Sequence, residues 1–261
     1  MTTPILDDKD HTEPSAFTPE NLLREARRQK GLASADVPAV CVLDPDGDIV
    51  RDLVASGRAQ LDPDWACYHT ELYVIDDGRA RFAIIGGVVG ASFAVLVAEE
   101  LFASGCTLIV SMTSAGQISP LGAPPYFVLI DRALRDEGTS YHYLPPARYA
   151  PADPALIERV QRVLGEVDLV IQRGSTWTTD APFRETASKI AARRAEGVLA
   201  VEMEAAALYA FAQARGRAVL CFAHVTNQMG RAEHDFEKGD ANGACAALSV
   251  IETVVRALGP R

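Results

Sequence analysis

The chain has 261 residues, 48% hydrophobic and 23% charged, with 25 Lys and Arg against 35 Asp and Glu and a formal charge of −10. A chain of this length buries roughly 70–75% of its unfolded surface, which excludes a scaffold that depends on disulfides or a structural metal. Lys and Arg are dense only around residues 24–30, so the counterion release that drives phosphate-backbone binding is missing and nucleic acid is excluded as a partner.

In chain order, residues 1–17 are acidic where a secretion signal would be basic and then apolar, and they lack apolar periodicity. They are expected to form a mobile leader or an arm laid on a partner subunit, ahead of one domain spanning 18–261. Thr18-Pro19-Glu20 supplies a helix cap, a first-turn proline and an acid, and Gly31 ends the helix over 21–30. A strand is expected at 37–43, turn chemistry at Asp44-Pro45-Asp46-Gly47-Asp48, and a helix at 49–56. Strands at 68–75 and 80–85 flank an Asp-Gly turn, followed by a helix over 91–104 and a strand at 108–112. A small-residue loop is expected at 113–116 and a strand at 126–130. Helices at 154–164, 184–195, 203–215 and 242–258 then alternate with strands at 168–172, 198–201 and 218–225. This order, without linker or repeat, predicts an α/β fold: a single domain with a largely buried central sheet.

No apolar run approaches the roughly 18 residues of a bilayer span, so no membrane association is expected and the chain is read as cytoplasmic. Cys41, Cys67, Cys106, Cys221 and Cys245 are odd in number and widely spaced, and are read as small core residues. No metal and no organic cofactor are expected.

Ligands of α/β sheets sit beyond the carboxyl ends of strands, which directs attention to four segments. Gly86-Gly87-Val88-Val89-Gly90 lets backbone approach a ligand and opens a helix, or is a tight packing turn. Its spacing is not that of a dinucleotide fingerprint. Ser111-Met112-Thr113-Ser114-Ala115-Gly116 offers hydroxyls at a strand end, for an anion or a sugar or simply for a turn. Residues 173–184 carry Trp177, Phe183 and Arg184, with the Trp177 ring available to stack on a base or to fill the core. Val201-Glu202-Met203-Glu204-Ala205 places two carboxylates where a strand gives way to a helix, as dipole partners or as functional acids. Were both helical, Glu202 and Glu204 would lie about 200° apart and could not share one task.

The sequence GVLAVEMEAAALYAFAQARG at 197–216 resembles the ribose-binding signature of the nucleoside phosphorylase superfamily, which holds uridine and purine nucleoside phosphorylases and the methylthioadenosine/adenosylhomocysteine nucleosidases. Supporting similarity lies in the glycine segment, in Thr113-Ser114-Ala115-Gly116, in Arg135-Asp136-Glu137-Gly138-Thr139-Ser140 and in Thr179-Asp180, over residues 38–258. The resemblance implies a mixed, twisted central sheet flanked by helices, a small-molecule nucleoside as substrate and a homo-oligomer (dimer, trimer or hexamer) with sites near subunit contacts. It implies that Glu204 holds the ribose hydroxyls and favours charge growing on the sugar, with Met203 under the sugar and Glu202 as the neighbouring acid. Ser114, with Thr113, takes the anion and sugar loop, and Gly87 lies in the glycine segment.

Asn227 stands where purine-specific members carry Asp. An amide cannot deliver a proton at neutral pH, which counts against a 6-aminopurine, and the resemblance to uridine phosphorylases, which carry Asn at this point, tilts the expectation toward uridine or an oxopurine. The Gln-x-Arg pair that uridine phosphorylases use for uracil is missing after Phe183, and Arg184 is the residue left to fill part of it. The family's phosphate-binding arginines are replaced by Ile49 and Ser111, although a shifted match retains Arg51. The related nucleosidases also lack these arginines and orient water with an acid after the first strand, a place taken here by Asp46 or Asp48. The expected activity is therefore phosphorolysis, with phosphate as co-substrate, or hydrolysis, or nucleoside binding without turnover.

Overall fold

A computed structural model describes residues 3–165, 168–229 and 236–259. Helix α1 (Pro19–Lys30) starts where Thr18 accepts the Asn21 N–H at 3.3 Å and ends at Gly31 in the left-handed region, φ 69°. There follow β1 (Val40–Asp44), α2 (Asp48–Ala55), β2 (Gln60–Leu61), β3 (Tyr73–Asp76), β4 (Arg81–Gly86), α3 (Ala91–Ala103), β5 (Leu108–Gln117), β6 (Tyr126–Asp136) and β7 (Tyr149–Pro151). The remainder is α4 (Pro154–Leu164), β8 (Ile171–Thr179), α5 (Ala187–Ala195), β9 (Ala200–Glu202), α6 (Ala205–Arg215), β10 (Ala218–Asn227) and α7 (Ala244–Leu258). This is the expected mixed α/β architecture in one domain-sized unit.

β5 organises the sheet. One edge runs parallel to β10 from Leu108 to Ala115, while the other pairs in parallel with β1 over its first half and antiparallel with β9 at Gly116 and Gln117. β10 pairs with β6, β6 with β8 and β8 with β9, so β5, β10, β6, β8 and β9 close into a ring. β1, β4, β3 and β2 extend from β5 as an open wing. β1 is buried along its length, as its uninterrupted Val-Cys-Val-Leu run requires of a strand covered on both faces.

Ring closure corrects several expected boundaries. The loop expected at 113–116 is strand, because Thr113 to Gly116 are paired to β10 throughout and Gly116 to β9 as well. The polar stretch from Arg173 to Thr179 is likewise strand, in parallel register with Leu129 to Asp136 of β6. Small and polar residues that read as turns are held extended by partners on both sides, since sheet context outweighs strand propensity. The expected strand at 68–75 shrinks to β3. α5 starts only at Ala187 after a short 3-10 turn, and α6 starts at Ala205 with Glu204 as its N-cap. The expected strand start at 168 moves to Ile171, and residues 166–167 lie outside the described residues.

α6 is buried from Ala205 to Ala212, its alanines allowing close approach to the sheet. The stretch Asp240–Leu258 has the length and apolarity of a bilayer span, contrary to expectation, but Leu248, Ile251 and Val254 are buried and the helix packs on α2 and α4. Cys41, Cys67, Cys106 and Cys221 are buried as expected, whereas Cys245 is exposed. In the leader, His11 Nε2 lies 3.1 Å from the Tyr141 carbonyl and Lys9 Nζ 2.7 Å from His142 Nδ1, so this segment touches its own chain.

Candidate active site

The turn after β1 is built by Asp44. Its carboxylate accepts the N–H groups of Gly47 (3.1 Å) and Val50 (3.0 Å), capping α2, and its carbonyl accepts the Gly87 N–H at 3.0 Å. Burial pushes this acid up to about 6. The two loops meet so closely that a Cβ on Gly86 would lie 3.3 Å from the Gly47 Cα. Gly87 is exposed, with φ +76°.

The glycine segment in turn holds the acid at the start of α6. Gly90 N–H donates to Glu204 Oε1 at 2.7 Å and Met203 N–H to Oε2 at 3.2 Å. The Thr113 hydroxyl, which donates to the Ser114 carbonyl at 3.3 Å, pulls the same carboxylate down against its burial. Glu204 is 1% exposed, and burial together with the neighbouring Glu202 pushes it up to about 8.

Glu202 has a different task. It accepts the N–H groups of Glu204 and Ala205, each at 2.7 Å, and the hydroxyls of Thr176 and Thr178, while Thr178 Oγ1 accepts the Ala206 N–H at 2.9 Å. A carboxylate so surrounded has no room for a sugar hydroxyl, so Glu202 is a buried brace for the first turn of α6 rather than a ligand-binding acid. Glu202 ends a strand and Glu204 stands at the N-cap of a helix, so the two acids do not face opposite sides of one helix.

At the neighbouring strand ends, Ser114 Oγ donates to Asp46 Oδ1 at 3.0 Å. Asp48 binds Arg51 and, at 2.6 Å, Lys238, whose Nζ also lies 3.4 Å from Asp46 Oδ2. Both cations hold Asp48 below the usual carboxylate range against a raising effect of its partial burial. The bulge at Thr226 brings Asn227 opposite Gly116, and among the described residues Asn227 Oδ1 is buried without a hydrogen-bond partner. Ser111 is 1% exposed and its hydroxyl also has no partner among them.

The family model of the phosphorylase superfamily matches residues 40–256. The chain belongs to this superfamily. Its structure is similar to uridine phosphorylase from Vibrio fischeri ES114 complexed with 6-hydroxy-1-naphthoic acid, at 20% identity and TM-score 0.70, covering 85% of this chain and 91% of that one. It is also similar to purine nucleoside phosphorylase from Toxoplasma gondii in complex with immucillin-H, at 16% identity and TM-score 0.71, covering 85% and 90%. At these identities the likeness is one of fold. Among curated proteins, the uncharacterized protein R802 of Acanthamoeba polyphaga mimivirus is 26% identical over 152 residues, 58% of this chain, and the matched region spans 59% of that relative's length.

Within this phosphorylase-superfamily chain, Glu204 is held to Met203 and the glycine segment, while Ser114, Asp46 and Asp48 are joined through Lys238 at the turn after β1, with Thr113 next to Ser114 on β5. Trp177 departs from expectation. Its ring is fully buried with Val198 and Val201, its indole N–H donates to Asp136 at 3.0 Å, and Lys189 and Arg193 lie over it, so it cannot stack on a base. Phe183, 100% exposed, and the exposed Arg184 lie on the short turn before α5. Sequence reasoning missed Asp44, the Gly90 N–H, the Thr176–Thr178 brace and Lys238. An apolar strand ending in Asp before a turn signals the first, whereas Lys238 is 190 residues from its Asp48 partner and carries no local signal.

Proposed function

We propose that this protein cleaves the N-glycosidic bond of a nucleoside and transfers the pentose to phosphate. The observation that carries the reading is the Glu204 carboxylate, buried, fixed by two main-chain N–H donors and keeping acceptor capacity for a vicinal pair of hydroxyls. In the proposed step the C1′–N bond breaks with its electron pair going to the base, and positive charge spreads over C1′ and the ring oxygen. A phosphate oxygen then bonds to C1′, giving pentose 1-phosphate, and the base takes up a proton from phosphate or water. Glu204 stabilises the charged sugar through its hydroxyls, more in the transition state than in the ground state. Met203 supports the sugar, and Asn227, whose Oδ1 has no hydrogen-bond partner among the described residues, faces the base and accepts a ring N–H, which favours uracil or an oxopurine.

Phosphorolysis is placed ahead of hydrolysis because Asp48, the acid that would orient water, is tied to two cations, which makes it a poor base. Hydrolysis is the second reading, favoured by Asp46, which carries acceptor capacity beside Ser114. The test is release of free base from uridine, inosine and adenosine with and without phosphate. Release that requires phosphate supports transfer, equal release without it supports hydrolysis, and binding without release supports a nucleoside-binding protein.

A further inference from the structure

Lys238 stands on a short segment strapped across the end of β10. Glu237 N–H donates to the Thr226 carbonyl at 2.7 Å, and Asn227 bridges to Phe236. This strap carries the ammonium to the turn after β1. Beneath it lies His224, 6% exposed and stacked on Phe127 with ring centroids 4.4 Å apart and 12° between planes. Among the described residues its Nε2 is buried with no hydrogen-bond partner, and the ring packs against the Lys238 main chain at Gly243, where an added Cβ would lie 2.3 Å from His224 Cε1 and 2.6 Å from the Lys238 carbonyl oxygen. A buried ring nitrogen without a partner costs free energy, which a ligand at this place would recover.

Two cations reach the turn and they are not equivalent. The Arg51 side chain is 67% exposed, whereas that of Lys238 is 27% exposed. Of the three donors on the ammonium, one is committed to Asp48 at 2.6 Å, while the 3.4 Å contact to Asp46 is long and replaceable. Should Lys238 turn partly toward an incoming anion, Asp48 keeps Arg51 and is not left unpaired.

We propose that Lys238 anchors the oxyanion co-substrate, with the His224 imidazole N–H as its companion donor, in the place of the guanidinium forks that this sequence lacks. The anion is inorganic phosphate or another tetrahedral oxyanion. Its P–O–H group points at Asp46, so that this carboxylate accepts a hydrogen bond, and Ser114 Oγ lies beside it. The assignment rests on the phosphorolysis reading. An ammonium is a point charge without the planar fork, so it selects less by geometry than arginine does. Arsenate is therefore expected to support base release as phosphate does.

The test follows base release while phosphate and nucleoside are varied separately, for the wild type, Lys238→Met, Lys238→Arg, His224→Gln and Arg51→Met. Lys238→Met is expected to raise the KM for phosphate about tenfold or more and leave the KM for nucleoside within about twofold, as loss of one charge-assisted contact requires. Lys238→Arg should recover part of this, His224→Gln should show a smaller rise in the same constant, and Arg51→Met, which removes the second partner of Asp48, should raise it less than Lys238→Met does. Calorimetric titration of phosphate into wild type and Lys238→Met, without nucleoside, reads the same contact independently of turnover. A wild type that needs phosphate alongside a Lys238→Met variant with unchanged phosphate KM and affinity overturns this assignment alone, as does a larger effect of Arg51→Met. A wild type that releases base equally without phosphate overturns the phosphorolysis reading and this assignment together.

Discussion

Glu204 concentrates the opposed demands of the candidate site. Buried and next to Glu202, it is pushed up to about 8, yet holding two hydroxyls asks for the ionised form. kcat/KM is accordingly expected to rise with pH through about 8 and level off above it, measured with a nucleoside that does not itself titrate there. The folded state holds this proton more tightly than the unfolded chain. The stability contribution is thus complete at pH values below the ordinary carboxyl range and drains away as pH climbs toward the folded value. Glu204→Gln keeps an acceptor for the Gly90 N–H and removes the buried charge. It is expected to lower kcat/KM by about 100-fold or more, roughly 2.7 kcal/mol of transition-state stabilisation, while melting above the wild type at alkaline pH. A loss under about threefold would remove Glu204 from the chemistry, being worth less than roughly 0.7 kcal/mol.

The elements around that residue work by close approach. The β1–α2 turn and the glycine segment after β4 touch at Gly47 and Gly86, where an added Cβ would stand 3.1 Å from Val50 Cγ2 and 3.3 Å from the Gly47 Cα. Gly86→Ala is expected to cost about 1–3 kcal/mol in urea unfolding, because backbone on the facing loop cannot yield as a flexible side chain does. Gly116→Ala presses on Asn227 Oδ1, at 2.9 Å from the added Cβ, and on the Met229 side chain. It is expected to impair the KM for nucleoside more than stability, which parallel melting and kinetic measurements would separate. Glu202 is the counterpart: an acid that reads like a ligand in sequence and proves to brace the first turn of α6.

For the whole molecule, we propose that copies of the chain associate through surfaces near the site. Phe183 is 100% exposed and Phe236 72% exposed in the single chain. Light scattering is expected to give a multiple of 28.0 kDa, and Phe183→Asp to lower it; a wild type at the mass of one chain would remove this expectation. The alternation of apolar runs with capped helices is local, so the α/β class, α1 with its Thr18 cap and the helix after Glu204 were legible in order. The strand-to-helix junction at Glu202 to Ala205 was legible too, because a short motif carries it. The extension of β5 through Gly116 and of β8 through Thr179 was not legible, since polar and small residues become strand only when neighbours on both sides supply hydrogen bonds. The same holds for burial. Nothing in the sequence near Trp177 says that its ring faces the core, and nothing near Lys238 says that its charge lies against Asp48. Sequence by itself determined which chemical groups are present and which elements they sit on, because caps, turns and apolar periods act over a few residues. Only the tertiary structure decided which groups meet, because closing the ring and folding the strap across β10 juxtapose residues whose separation along the chain carries no physical signal.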